Sequence, residues 1–347
     1  MEKKCIKCVV WDLDETVWHG ILSENDQLRL REGIADTIRL LDERGIINTV
    51  ASKNNAEDAL RQLESFGLLE YFLLPQVNWG VKSASIRAIK ETLNIGYDAI
   101  AFIDDQPFER DEVKSVLDEV NCFDVDVIGG ISADDRFIPR FITEESAKRR
   151  MMYVTDELRK QEEEQFTDNH SFLSQLDLQF NIALAEEKDL QRVEELTVRT
   201  NQLNATGYSY TYEELQQLLE NDGYRVLVCE LTDKYGTYGK IGVSMLQTAG
   251  DAWNIHLLLM SCRVMSRGVG SVLLAYIIQQ AVKYGKTLYA DFLPTSRNRQ
   301  MYITYKFAGF KELGKLENGG VQLVHDGVTV PVIPDYLQLT ATDLSAR

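Results

Sequence analysis

Two aspartates one residue apart, Asp12 and Asp14, end the apolar run Val9-Val10-Trp11 and stand just before Glu15 and Thr16. Paired carboxylates at such a place suit metal-assisted phosphoryl transfer. Together they can hold a hard divalent cation, while one attacks phosphorus and the other handles a proton. Taken alone, Asp-x-Asp-x-Thr equally describes a solvated acidic turn after a strand. Three further groups favour chemistry: Ser52-Lys53-Asn54 after the run Ile46 to Ala51, Asp104-Asp105 after Ala99 to Ile103, and Lys82, which opens a helical pattern after Trp79-Gly80-Val81. A lysine and a serine there can reach phosphate, and later carboxylates can complete a cation site.

The elements that must position these residues are readable from the apolar pattern. Buried parallel strands read as continuous apolar runs, and in open α/β sheets the ligand crevice lies beyond the carboxyl ends of the strands. Three strand ends therefore converge on one crevice, with helices over roughly 55–66 and 82–93 between them. Cys8 lies four residues before Asp12, about 13 Å away along a strand, so it reads as a core thiol and not as part of that crevice.

A second group of chemistry-bearing residues follows. A strand from Trp253 to Met260 ends at Ser261-Cys262-Arg263, and Val264-Met265-Ser266-Arg267-Gly268-Val269-Gly270-Ser271 opens an apolar helix through Ala281. Glycines at a helix start let backbone N–H groups approach an anion, and the helix dipole favours it. Cys262 reads either as a nucleophile, its thiol pKa lowered by the helix start, or as a small packing residue. Arg263 and Arg267 read as phosphate ligands or as solvated charges. No partner base is legible for Cys262, because His256 lies six residues back on the same strand, about 20 Å away.

At 347 residues the chain has room for two domains of ordinary size. A charged helical run from Thr143 to Gln165 reads as a connector, giving an α/β domain over 1–145, a connector over 146–174 and a second α/β domain over 175–347. With 37 Lys and Arg against 54 Asp and Glu, the net charge is −17, which argues against nucleic-acid binding. No long apolar run marks a membrane span, and the start Met-Glu-Lys-Lys-Cys does not read as a signal-peptide core, so a cytoplasmic protein is expected. The five cysteines lack the spacing of a zinc site.

In their order, Asp-x-Asp-x-Thr, Ser52, Lys82 and Asp104-Asp105 resemble the four signature motifs of the haloacid dehalogenase (HAD) superfamily. The second half, with its Arg-Gly-x-Gly loop, Asn298, Tyr305 and Gly309-Phe310, resembles the Gcn5-related N-acetyltransferase (GNAT) fold. Together with Lys7 to Asp14, Arg199-Thr200-Asn201-Gln202-Leu203-Asn204 and Met260 to Val264, the whole chain resembles the FkbH-like glyceryl transferase/phosphatases.

That resemblance implies a HAD-like doubly wound parallel sheet with a minimal cap, joined to a GNAT-like acyltransferase domain. It implies Asp12 as nucleophile, Asp14 as general acid and base, Ser52, Lys53, Asn54 and Lys82 at the phosphate, and Mg2+ held by Asp12, Asp14, Asp104 and Asp105. The reaction implied dephosphorylates 1,3-bisphosphoglycerate and loads the glyceryl group onto the phosphopantetheine thiol of an acyl carrier protein, for polyketide extender units of the methoxymalonyl type. Cys262 would relay the acyl group. Asn201, Gln202, Asn204, Arg263, Arg267, Gly268, Gly270, Asn298 and Tyr305 would surround substrate and pantetheine, although helix caps and a core aromatic fit several of them equally. The chain departs from the family pattern at Glu15, usually Asn, and at Leu22-Ser23-Glu24-Asn25-Asp26. A HAD phosphatase fused to an acetyl-coenzyme A-dependent N-acetyltransferase is the alternative.

Overall fold

The structure is a computed structural model that describes residues 5–24 and 26–344; Met1 to Lys4, Asn25 and Ser345 to Arg347 lie outside the described residues. It divides into two compact units, Met1–Asp156 and Glu157–Arg347.

The first unit has strands β1 (Cys8–Trp11), β2 (Trp18–His19), β3 (Arg29–Leu30), β4 (Ile47–Ser52), β5 (Gln76–Val77), β6 (Ile100–Ile103) and β7 (Asn121–Phe123). Its main helices are α1 (Ile34–Glu43), α2 (Ala56–Ser65), α3 (Lys82–Leu93) and α4 (Pro107–Val116), and short α5 (Glu144–Ala147) follows. Five strands form a parallel sheet in the order β5-β4-β1-β6-β7, while β2 and β3 pair separately as a small antiparallel ribbon.

The unbroken apolar run of β1 has a direct cause. Val9 and Trp11 pack with Ile34, Ile38 and Leu63 of α1 and α2, whereas Cys8 and Val10 pack with Ile86, Ile89 and Val113 of α3 and α4. Both faces are covered, so no position of the strand is left for a polar residue. Asn48 is the polar exception in β4, and it is satisfied: its Oδ1 accepts from the Trp11 indole at 2.9 Å and its Nδ2 donates to the Ile38 carbonyl at 3.1 Å. The α2 helix starts where Asn55 accepts from the Asp58 N–H.

Helix α6 (Arg149–Glu163) contains the dividing point between the units. Within the first unit Arg150 pairs with Asp42 at 2.9 Å and Arg149 donates to the Gly45 carbonyl.

The second unit has α7 (Asn169–Ser174), α8 (Leu190–Arg199), α9 (Tyr212–Glu220), α10 (Val269–Lys283) and α11 (Arg299–Phe307). Its strands are β8 (Leu178–Leu184), β9 (Tyr224–Asp233), β10 (Gly236–Gln247), β11 (Ala252–Met260), β12 (Thr287–Phe292), β13 (Phe310–Lys315), β14 (Val321–His325) and β15 (Leu337–Ala341). They form one sheet in the order β13-β14-β12-β11-β10-β9-β8-β15, antiparallel except for the β11/β12 and β15/β8 pairs. Helix α10 covers one face, with Trp253, Ile255 and Ala290 beneath it; α8 and α9 cover the other, with Val226, Val228, Met245 and Leu257.

β11 and β12 are paired only from Ala252 to Ile255 and from Thr287 to Ala290, after which they part. Leu203 to Ala205 fill the fork: Met260 N–H donates to Leu203 O at 2.9 Å, Ala205 N–H to Leu258 O at 3.0 Å, and Leu293 N–H to Ala205 O at 3.0 Å. Among the described residues no helix is long and apolar enough to cross a membrane.

Candidate active site

The register of the parallel sheet sets the first site. Trp11 lies opposite both Val50 and Ile103, so Asp12, Ala51 and Asp104 stand side by side one residue later. Asp12, Asp104 and Asp105 each offer one carboxylate oxygen, all within 4.8 Å of one another. Lys82, at the first turn of α3 and buried, sends its ammonium into this group, donating to Asp12, to Asp104 at 3.2 Å and to the Ala51 carbonyl at 2.7 Å. Gln106 N–H and Arg110 steady the loop, binding the Asp104 carboxylate at 2.8 Å and the Asp104 and Asp105 carbonyls at 2.6 and 2.9 Å.

Burial pushes the Asp12 carboxyl up to about 7; the Lys82 charge pulls it back and Asp104 pushes it further. Burial works against the Lys82 charge, yet the two carboxylates hold its pKa above the ordinary lysine value. Asp105 is also raised, by burial and then by Asp104.

Asp14 stands apart from the group of three. Its Oδ1 accepts from the Trp18 indole at 2.9 Å and from Leu22 N–H at 3.2 Å, and its Oδ2 from Asn54 at 3.1 Å. Asn54 also donates to Ser52 Oγ at 3.1 Å, which makes Asn54 a brace between the serine and the second aspartate. Three donors fix the orientation of the Asp14 carboxylate, and its side chain is outside the cation-sized cluster. Lys53 pairs with the buried Glu109 of α4 at 2.6 Å. Because β1 lies between β4 and β6, that pair arches over the carboxyl end of β1, where Asp12 stands. Sequence reading did not single out Glu109, since nothing in its spacing separates it from an ordinary helix-surface acid.

Hard oxygen donors in a group of this size suit Mg2+. Asp12, Asp104 and Asp105 would hold it, and it would supply charge to offset a phosphoryl group.

The second unit holds Cys262 at the start of a tight turn, Cys262–Arg267, that separates it from α10. The thiol is therefore not at the α10 amino terminus, and its pKa is raised rather than lowered: burial pushes it up, while the N–H groups of Leu203 and Gln202 pull the other way. Cys8 is fully buried in the first unit, and burial pushes its thiol up strongly.

A small cleft of about 70 Å³ lies between β11, α10 and α11, bordered by Leu203, Leu258, Met260, Gly268, Gly270 and Met301. Gly268 adopts φ 72°, and a Cβ there would meet the Tyr336 hydroxyl at 2.9 Å. Arg267 is buried, pairs with Glu163 at 3.2 Å and lies over the Phe172 ring, while Arg263 donates to the Tyr238 carbonyl at 3.0 Å.

Asn201 and Gln202 side chains are exposed. Asn204 and Asn298 are fully buried and build the fork: Asn298 donates to the carbonyls of Asn204 at 3.0 Å and Leu293 at 2.9 Å, and Asn204 accepts from Thr206 and Gly207 N–H at 3.1 and 2.8 Å. Tyr305 is buried in the core, its ring edge-on to Phe310 at 5.2 Å, and burial raises its hydroxyl.

His256, six residues before Cys262, is partnered by the neighbouring strand. His256 Nδ1 lies 2.7 Å from Asp291 Oδ2 of the neighbouring strand.

No protein-family model matches the chain, and no curated protein does. Among solved structures, the chain is similar to the N-terminal, phosphatase-domain-containing part of a Bacteroides fragilis protein complexed with Mg, at 30% identity and TM-score 0.32 over 44% of this chain and 39% of that one. It thus spans well under half of that protein fragment. It is similar to a ribosomal-protein alanine N-acetyltransferase from Escherichia coli, at 15% identity and TM-score 0.34 over 45% of this chain and 97% of the other. A domain from Methanocaldococcus jannaschii gives 15% identity and TM-score 0.36 over 43% and 98%.

Proposed function

We propose that the chain is a two-site enzyme, with a magnesium-assisted phosphatase in the first unit and an acyltransferase in the second. The observation that carries the reading is the convergence of Asp12, Asp104 and Asp105 on Lys82, three carboxylates and one ammonium in a buried corner at the ends of parallel strands. Phosphoryl transfer asks mostly for positioning and for cations around the equatorial oxygens. Asp12 attacks phosphorus, Asp14 protonates the leaving oxygen and later takes the proton of water, and Ser52 and Lys82 hold the phosphoryl oxygens.

The substrate proposed is 1,3-bisphosphoglycerate, with Cys262 relaying the glyceryl group to the phosphopantetheine thiol of an acyl carrier protein. Supporting the relay is the place of Cys262 just past the end of β11, two residues after Met260, which borders the cleft. A mixed anhydride with phosphate is already activated, so a thiol with a raised pKa remains a competent acceptor.

The test is intact-protein mass after incubation with Mg2+ and 1,3-bisphosphoglycerate, alongside phosphate release. A glyceryl-sized adduct lost in Cys262→Ala, and phosphate release lost in Asp12→Asn, support the reading. An adduct that persists in Cys262→Ala and vanishes in Cys8→Ala refutes the relay. No phosphate release from any phosphorylated three-carbon acid refutes the phosphatase.

A further inference from the structure

The second unit gathers cations without partners in one short stretch. All six lysines from Lys160 to Lys286 pair with a carboxylate. From Arg297 to Lys315 the chain then carries five cations, Arg297, Arg299, Lys306, Lys311 and Lys315, and a single carboxylate, Glu312. All five are exposed, and among the described residues none of them pairs with a carboxylate. Glu312 accepts from the Tyr302 hydroxyl, which ties β13 to α11, and Lys306 lies over the Tyr302 ring at 5.9 Å. The helix and the edge strand therefore present one positive surface on a chain whose net charge is −17. Like charges held together repel one another, so folding alone does not favour such a gathering.

The same stretch exposes apolar side chains. On α11, Met301 and Tyr305 turn into the core, while Gln300 and Thr304 border the cleft beside α10. Arg299, Ile303 and Phe307 follow one another at four-residue steps and form an outward stripe next to that border. Phe307 is 85% exposed, Leu313 of β13 58% and Ile303 40%. An apolar centre with a charged rim is the make-up of a protein–protein contact.

We propose that the outward side of α11 and β13 docks an acidic protein partner, with a carboxylate-bearing helix of that partner laid along the stripe of Arg299, Ile303 and Phe307. Complementary charge selects the partner: a small protein rich in Asp and Glu is attracted by this surface and repelled by the rest of the chain, which fixes where it lands. A second copy of the chain would bring its own acidic surface, and Lys311 and Lys315 on the sheet's edge strand discourage pairing of edge with edge. A broad anionic membrane would face the acidic remainder of the chain as well, and nucleic acid would leave Ile303 and Leu313 without apolar contacts. Because Gln300 and Thr304 border the cleft, a partner seated here can lead a flexible arm into it. The identity of the partner rests on the carrier-protein reading above; the docking itself needs no chemistry at Cys262.

The experiment titrates the full chain against a fluorescently labelled acyl carrier protein bearing phosphopantetheine and reads anisotropy at low and high salt. Saturable binding that weakens with salt is expected. Lys306→Glu combined with Lys311→Glu should weaken it by about tenfold or more, and Phe307→Ser by about fivefold or more. Arg87→Glu combined with Lys114→Glu changes the net charge equally on the first unit and should leave binding within about twofold of the parent. Hydrogen exchange in β11 and α10 identical to the parent shows that the substituted chains are folded. Binding retained in Cys262→Ala supports the docking whether or not the parent carries a glyceryl adduct, so a failed relay is read separately. Absence of carrier binding by the parent, undiminished binding in both α11 and β13 variants, or an equal loss in the first-unit control would each overturn the assignment. So would tighter binding of heparin or of phosphatidylglycerol vesicles than of the carrier at this surface, or self-association of the chain that disappears in Phe307→Ser.

Discussion

Replacing Lys82 by methionine is the most informative perturbation of the first unit. The ammonium is buried, donates to Asp12, Asp104 and the Ala51 carbonyl, and is the only lysine or arginine that pairs with Asp12 or Asp104 among the described residues. Methionine fills a similar volume but leaves two buried carboxylates facing one another. Removing one partner of a buried pair costs about 3–5 kcal/mol. At about 1.4 kcal/mol per tenfold, amides of β1, β4 and β6 that exchange through global opening of this unit should exchange two to nearly four orders of magnitude faster.

Hydrogen exchange read by mass spectrometry suits a chain of two units, because a single melting curve is not well defined for it. Mg2+ at about 100 times its Kd should return about 2.7 kcal/mol. Asp12→Asn added to Lys82→Met should also recover part of the loss, since it removes one of the stranded charges. Unchanged exchange in Lys82→Met, or a double variant no better than the single one, would refute the charge balance described for this corner.

Three further outcomes follow from the same coordinates. Because Asp12 has its folded pKa raised to about 7, above the unfolded carboxylate value, its favourable contribution is present in acid and lost as pH rises through about 7. Metal-free Asp12→Asn should therefore show a flatter pH dependence of first-unit stability between about 4 and 7 than the parent, measured by the same exchange method. Alkylation of Cys262, whose thiol is raised by burial, should reach half its limiting rate above the ordinary thiol value of about 8.5; a midpoint at or below that value contradicts the described environment. Arg159→Leu strands Asp233, since both side chains are buried and joined at 2.7 Å. It should destabilise the second unit by about 3–5 kcal/mol, read as faster exchange in β9 and β10 with β1 unaffected.

Much of the first site was legible because its parts are strand ends. A strand buried on both faces announces itself as an unbroken apolar run, and Asp12, Ser52 and Asp104 are the residues that finish such runs. Lys82 was legible as the opening of a helix whose period is clear through Leu93. Asp14 was harder: its type suggests a metal ligand, but Trp18, Leu22 and Asn54 turn it aside, and Trp18 lies in a two-residue strand and Leu22 in the short turn after it, neither with a periodic signature.

In the second unit, β11 and α10 follow their patterns closely. The pairing of His256 with Asp291 spans 35 residues and depends on a bulge, so linear spacing on one strand hid it. Arg267 reads as a phosphate ligand or a solvated charge for a similar reason, as Glu163, which pairs with it, lies 104 positions earlier. The Cys262 environment failed as an expectation because the turn from Cys262 to Arg267 separates the thiol from the helix dipole it was assumed to feel.

The segment from Leu203 to Ala205 has a consequence for whatever enters the cleft beside α10. By occupying Leu258 O and Met260 N–H, it uses up the outward edge of β11 on which a linear guest with amide groups would otherwise zip itself as an additional rung. Such a guest is left with side-chain contacts alone along this edge, the apolar Leu258, Met260 and Met301 and the polar Ser271, Gln300 and Thr304. Trimming its amides should therefore matter little.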